Sequence, residues 1–406
     1  LPDFDFIALH GIWSWISDEN RAVIVDFICR KLKVGGVLYI SYNTQPGWAA
    51  MVPMRDLLTE HAEVLGADGA GIVSRIDGAL TFADQLMAVN PGYARANPQI
   101  AERINKIKEQ NRNYVAHEYF NRDWAPMSIS KMAVFLEPAK LEYACSAHYL
   151  DAIDAINLST EQQALLNQIP DTIFREAVRD FCVNQQFRRD YWVKGERRLT
   201  PLEQAEALRA VRVMLCVPHN SVSLKVTGSL GEATMQESVY QPILDKLADH
   251  KPKTLGQLEA ELQPQSISFV QLLQATMVLA GTGTLASVQE DSQISKLKKR
   301  TDALNLHLLN KARSVGDITA LASPVTGGGI TVPRFQQLFL LARLQGHKKA
   351  TELAEFTWNI LNAQGQRLIK EGKALDSAEE NLAELTTQAE EFLEQRLPVL
   401  KALHIG

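Results

Sequence analysis

Several absences narrow the field before any motif is read. The 406-residue chain has only four cysteines, Cys29, Cys145, Cys182 and Cys216, at no ligand-like spacing. Each lies in an apolar context, so buried free thiols and a reducing cytoplasm are expected, with no disulfide framework. No apolar run approaches the roughly 18 residues of a membrane span, and no signal-peptide pattern opens the chain. Charge of neither sign dominates. A net charge of −5 offers no basic field for a nucleic-acid partner. There is no internal repeat.

Familiar catalytic signatures are also scarce. The His-Glu pair in AHEYFN (116–121) suggests zinc, but HExxH needs a second histidine where Asn121 stands. No metal is therefore expected. TGGGIT (326–331) is followed by neither the lysine nor the helix start of a phosphate-binding loop, and reads as a turn. The adjacent Arg188 and Arg189 of QFRRDYW read as a strand face meeting solvent or a helix end, in preference to an anion site. An initiating methionine is missing as well. The chain begins LPDFDFIALHG, almost directly on an apolar strand, and the expectation is that it is the C-terminal part of a longer protein.

What is present begins with a βαβ unit. FDFIAL (4–9) reads as a buried strand. DENRAVIVDFICRKLK (18–33) reads as a helix, with Ser17 or Asp18 as N-cap and Lys31 and Lys33 near the C-terminal dipole. Gly35-Gly36 then turn the chain into VLYIS, a continuous apolar strand of the kind buried on both faces of a parallel sheet. In an open α/β sheet, ligands sit outside the carboxyl ends of the strands. Those ends carry HGIWSW and SYNTQPGW, rich in groups that stack or hydrogen-bond: His10, Trp13, Trp15, Tyr42, Asn43, Thr44 and Trp48. A second cluster, His117, Glu118 and Tyr119, lies in AHEYFN, where a carboxylate could hold a cationic substrate.

Helical periodicity covers 50–65 and 79–89, broken by GADGAG, and returns at 99–115 and 161–182. LEYACSAHYL and FRRDYWVKG read as strands. Residues 234–287 read as helix, turn, helix, helix, a small winged-helix-like module. The tail, 376–397, sets Ala378, Leu382, Leu385, Ala389, Phe392 and Leu393 against an acidic face.

FDFIALHGIWSWI, LKVGGVLYISYNTQPGW, NYVAHEYFNRDWAPM and VNQQFRRDYWVKG together resemble class I S-adenosylmethionine-dependent methyltransferases that carry a methyltransferase regulatory domain. Rickettsial protein-lysine methyltransferases belong to that group. The resemblance implies an α/β fold, the C-terminal half of a Rossmann-like sheet with helical insertions, followed by mainly helical, winged-helix-like C-terminal domains. The implied boundaries are 1–195 for a partial methyltransferase domain with an insertion at about 50–115, 196–290 for a regulatory domain, and 291–406 for a C-terminal domain. LEYACSA and FRRDYWVKG would be the antiparallel pair at the sheet edge.

The implied cofactor is S-adenosylmethionine, and the implied acceptor a protein lysine, with a small molecule or a non-catalytic interaction role as alternatives. The implied catalytic residues are Tyr42, Asn43 and Glu118. His10 and Trp13 would contact cofactor, and Trp48, His117 and Tyr119 would contact substrate. The resemblance also implies a homodimer, with no membrane or nucleic-acid partner. The family's glycine-rich cofactor motif and its ribose-binding carboxylate have no counterpart in these 406 residues. The expectation is therefore that the longer parent is the enzyme and that this stretch alone binds the cofactor weakly or not at all.

Overall fold

The computed structural model describes every residue except Asp68 and Ala70, which lie within the GADGAG break. Residues 1–198 with 228–231 form one compact unit, and residues 199–227 with 232–406 a second.

The first unit opens with strand β1 (Phe4–Leu9), helix α1 (Asp18–Lys31) and strand β2 (Leu32–Asn43). Ser17 caps α1 by accepting the Asn20 amide, and Arg30 and Lys31 occupy its last turn. β1 and β2 pair in parallel from Phe6↔Val37 to Leu9↔Ile40. The glycine pair is not a turn before the strand but lies inside it. The register jumps between Phe4 and Phe6, so Gly35 (φ +78°) and Gly36 form a bulge. A Cβ on Gly36 would sit 2.8 Å from both Leu32 Cδ1 and the Lys33 carbonyl oxygen. Strand β3 (Leu141–Ser146) and strand β4 (Phe187–Lys194) complete a four-stranded sheet of order β1-β2-β4-β3. β4 runs antiparallel to both neighbours, as the resemblance implies.

One face of this sheet is covered. Val25 and Ile28 of α1 and Ile129, Met132 and Leu136 of a helix at Ile129–Leu136 pack against Leu38, Ile40, Tyr42 and Trp192. The expectation that β1 is a buried strand does not hold. Ile7 and Leu9 face this core, but Phe6 is 75% exposed. The covering helices all lie on one side, and alternation along a strand sends every second residue to the other.

Between β2 and β3 the chain builds a separate helical layer: α2 (Val52–Val64), α3 (Ile72–Ala88), α4 (Gln99–Glu109) and α5 (Arg112–Tyr119). Met54, Leu58, Ile76, Leu80, Ile104, Val115 and Tyr119 close its core around Trp48. The helix at Ile129–Leu136 follows as α6, then α7 (Thr160–Leu166) and α8 (Thr172–Val183).

Arg188 overturns the solvent-facing reading. It is 4% exposed, and its side chain is held by three carboxylates. Nε donates to Asp190 Oδ2 at 2.9 Å, Nη1 to Asp180 Oδ1 at 2.5 Å and Nη2 to Glu176 Oε2 at 3.0 Å. Nη2 also reaches Tyr143 Oη at 3.1 Å, and Tyr42 Oη donates to Asp190 Oδ2 at 2.8 Å. Burial pushes the Asp180 carboxyl up to about 7, outweighing the pull of Arg188. Burial raises Asp190 as well, and with the Asp190 carboxylate it pushes the Tyr42 hydroxyl well above its usual range, so Tyr42 stays a neutral donor.

The second unit holds a three-stranded antiparallel sheet of β5 (Arg212–Leu215), β6 (Lys253–Thr254) and β7 (Leu285–Ser287), with β5 central. Helices α9 (Glu237–Lys246), α10 (Leu255–Leu262) and α11 (Phe269–Gly281) lie between these strands in sequence, the winged-helix pattern. Capping boxes at Thr254/Gln257 and Ser268/Gln271 start α10 and α11. A further core contains Phe339, Leu353, Leu385, Ala389 and Phe392. The glycine-rich stretch 323–333 contributes to a short hairpin, Ala320–Ala322 with Gly329–Thr331.

All four cysteines are free, but the expectation of burial holds fully only for Cys216. Cys29 and Cys145 are exposed and Cys182 is half-buried. Among the described residues no helix is long and apolar enough to cross a membrane.

Two outcomes follow from this packing. Gly36→Ala should destabilise the first unit by about 1–3 kcal/mol, because backbone atoms line the space a Cβ would need. A lowered urea midpoint at unchanged slope checks this. The second concerns pH. A carboxyl raised from 3.8 to about 7 is protonated in the folded state and ionised in the unfolded state between those values. Its stabilising contribution is therefore lost as pH rises from about 4 to about 7. Asp180→Asn should flatten the fall in unfolding midpoint across that window relative to the unmodified chain, and the two slopes should converge above pH 7.

Candidate functional site

The carboxyl ends of β1 and β2 lie side by side because the strands are parallel and in register at Leu9↔Ile40. The chain leaving β1 turns at Gly11 (φ +65°), whose amide donates to Ser41 Oγ at 2.9 Å. His10 is exposed there. Its Nδ1 lies 2.9 Å from Tyr39 Oη, and the two rings stack at 5.9 Å.

A short helical turn, Trp13–Trp15, carries three buried side chains with different fates. Trp13 is fully buried, hydrogen-bonds Met127 Sδ at 3.2 Å and meets the Phe135 ring edge-on, so it is part of the core. Ser14 Oγ accepts the Asn43 amide at 2.8 Å. Trp15 stacks on His117 of α5 at 5.3 Å, and its indole Nε1 is buried with no partner among the described residues.

The end of β2 is held from three directions. Asn43 gives its amide to Ser14, and its carbonyl accepts the Met127 amide at 3.0 Å. Thr44 donates its amide to the Gln186 carbonyl and Gly47 to that of Gln185, both at 2.9 Å. No Cβ fits on Gly47, since one would sit 2.7 Å from the Asn184 carbonyl oxygen. The main chain of Asn43 is thus satisfied while its side-chain Nδ2 is buried without a partner among the described residues, as is Thr44 Oγ1. Buried donors left unpaired cost about 1–3 kcal/mol each, so a ligand atom that paired them would recover that cost.

The remaining candidates divide. Tyr42 points to the other face of β2 and its hydroxyl is committed to Asp190. Trp48 is 5% exposed, with the Arg103 guanidinium over its ring at 3.9 Å and Tyr119 beside it at 5.9 Å, so both aromatic rings serve the helical layer. His117 is held in the Trp15 stack. Glu118 is half-buried, and burial raises its carboxyl above the usual range against the opposing pull of His117. The expected cofactor contact Trp13 lies in the core, whereas Trp15, to which no role was assigned, carries the unpartnered indole.

Beside the Thr44–Trp48 corner lies an open groove of about 600 Å³. Pro46, Pro53, Trp124, Pro126 and Phe181 make it largely apolar, and Asp56 stands at its rim.

Comparisons with known proteins agree with this architecture. Residues 111–194, from the start of α5 to the end of β4, match the family model described as a predicted methyltransferase regulatory domain. Over all 406 residues the chain is 43% identical to uncharacterized protein sll1526 of Synechocystis, of which it covers 79%. It is 25% identical over 189 residues to uncharacterized protein RP789 of Rickettsia prowazekii, a match covering 46% of this chain and 33% of that one. Structures of PKMT2 from Rickettsia typhi, one in complex with AdoHcy, share the fold at TM-scores of 0.65 and 0.61 and 17% identity. They cover 97% and 98% of this chain, which in turn covers 80% of theirs. The chain belongs to the family of sll1526; its residues 111–194 carry the match to a methyltransferase regulatory domain, and its fold is that of PKMT2.

Proposed function

We propose that this chain forms the acceptor side of an S-adenosylmethionine-dependent methyltransferase whose acceptor is a protein lysine. The observation that carries the reading is the group of buried donors without partners, Asn43 Nδ2, Thr44 Oγ1 and Trp15 Nε1, gathered at the carboxyl edge of a parallel strand pair. Ligands of open α/β sheets bind at that edge. Such donors suit a ligand rich in acceptor oxygens and nitrogens, and in this respect the residues fit the cofactor. His10 and Asn43 would hold it. The role expected of Trp13 passes to Trp15, because Trp13 is enclosed in the core. S-adenosylmethionine, when bound, supplies an electrophilic methyl on a sulfonium.

The chain's own residues provide positioning and a dry surface more than covalent chemistry. A lysine must lose its proton to become a nucleophile, against a reference pKa of about 10.4. Glu118, raised by burial, is the group proposed to take that proton. The apolar groove between Pro46, Trp124 and Phe181 is proposed to take the methylene stem of the lysine, where poor solvation favours the neutral amine. Tyr42 acts at one remove, fixing the strand end through Asp190.

Transfer of a radiolabelled methyl group to lysate proteins, with and without proteinase treatment, tests the acceptor class. Label that survives proteinase digestion as a small product would point away from protein lysine. Asn43→Ala should lower turnover roughly tenfold, the worth of one hydrogen bond to a ligand. Glu118→Gln should lower it by about a hundredfold and remove the acid limb of the pH–rate profile. Unchanged turnover in both variants, with the fold intact by circular dichroism, would remove this site assignment.

A further inference from the structure

A cavity of about 330 Å³ lies between β3, β4, α7 and α8, within the first unit and apart from the groove proposed for the acceptor. The Arg188 network forms one wall, and Leu166 and Val183 give it apolar surface. The network is unbalanced. Three carboxylates surround one guanidinium, and that guanidinium reaches only one oxygen of Asp180. Asp180 is 3% exposed and lines the cavity, yet its Oδ2 is buried with no partner among the described residues.

Five carboxylates line the cavity against the four guanidiniums of Arg175, Arg179, Arg188 and Arg189, an excess of one negative charge. Arg179 is committed to Asp154 and to the Asp151 carbonyl, and no hydrogen bond among the described residues joins Arg175 or Arg189 to Asp180 Oδ2. A buried carboxylate oxygen requires a proton or a cation. Burial raises Asp180 only to about 7, so near neutral pH the proton is held loosely and a cation competes with it.

We propose that this cavity binds a primary alkylammonium, its –NH₃⁺ donating to Asp180 Oδ2 and its methylenes lying against Leu166 and Val183. A primary ammonium is compact and carries three donors and no acceptor, which suits an acid-lined end with one unserved oxygen. The apolar wall favours a carbon chain over an inorganic ion. The volume stands at the small end of ligand pockets and suits a short chain. This inference does not rest on the methyl-transfer reading, since Asn43 and Glu118 are absent from the cavity lining.

The test is calorimetric titration of n-butylammonium chloride into the full chain at pH 8, where Asp180 is ionised and the amine is charged. Sodium chloride and 1-butanol serve as matched controls. The expected result is saturable binding in the millimolar range, at least tenfold weaker in Asp180→Asn and not reproduced by either control. No saturable binding to the unmodified chain, equal binding to Asp180→Asn, or equal binding of 1-butanol would overturn the proposal. If Asp180→Asn does not fold, a crystal of the unmodified chain soaked in n-butylammonium decides. Density at Asp180 Oδ2 supports the site, and its absence overturns it.

Discussion

The first unit depends on how one arginine is buried. Arg188 sits on β4, the strand that joins the parallel pair to the antiparallel edge. Its partners come from β3 (Tyr143), α8 (Glu176 and Asp180) and β4 itself (Asp190), and Asp190 passes the connection to Tyr42 on β2. A charge withdrawn from water is tolerated only when every neighbour is correctly placed. The network therefore constrains strand order and register more tightly than apolar contact alone, which accepts many arrangements of similar volume. It also lies wholly within the segment that matches the regulatory-domain model, apart from Tyr42.

That constraint has a consequence for the strand ends. With Tyr42 fixed on one face of β2, alternation directs Asn43 to the other, toward the turn that carries Trp15. The Trp15–His117 stack then ties the turn after β1 to α5, the first helix of the regulatory segment. The candidate site is thus assembled from three distant stretches, residues 10–15, 41–48 and 117–118, held by main-chain bonds as much as by side chains.

How much of this could be read from the sequence differs by element. The βαβ unit was legible because period, cap and apolar run agreed, with Ser17, one of the two N-cap candidates, in that place. The glycine pair misled, since Gly-Gly marks a bulge as readily as a turn, and only the pairing with β1 distinguishes them. Arg188 was illegible: an arginine on a strand normally reaches solvent, and apart from Asp190 on its own strand its partners lie 8 and 12 residues back on a helix and 45 residues back on another strand. The aromatic residues were found as a group but not sorted. Trp13 and Trp15 are both buried, and what separates them is that Met127 serves the Trp13 indole while no described residue serves that of Trp15, a property of the assembled sheet and not of WSW.

The clamped end of β2 has one more implication. Asn43 spends its main-chain groups on Ser14 and Met127, and Thr44 and Gly47 spend theirs on the Gln185–Gln186 segment. Fixing a residue costs about 1–2 kcal/mol of conformational entropy, and here folding has already met that cost. A ligand that engages Asn43 Nδ2 does not have to order the loop that presents it. Its binding free energy can therefore appear as affinity and orientation instead of being consumed in closing a flexible segment.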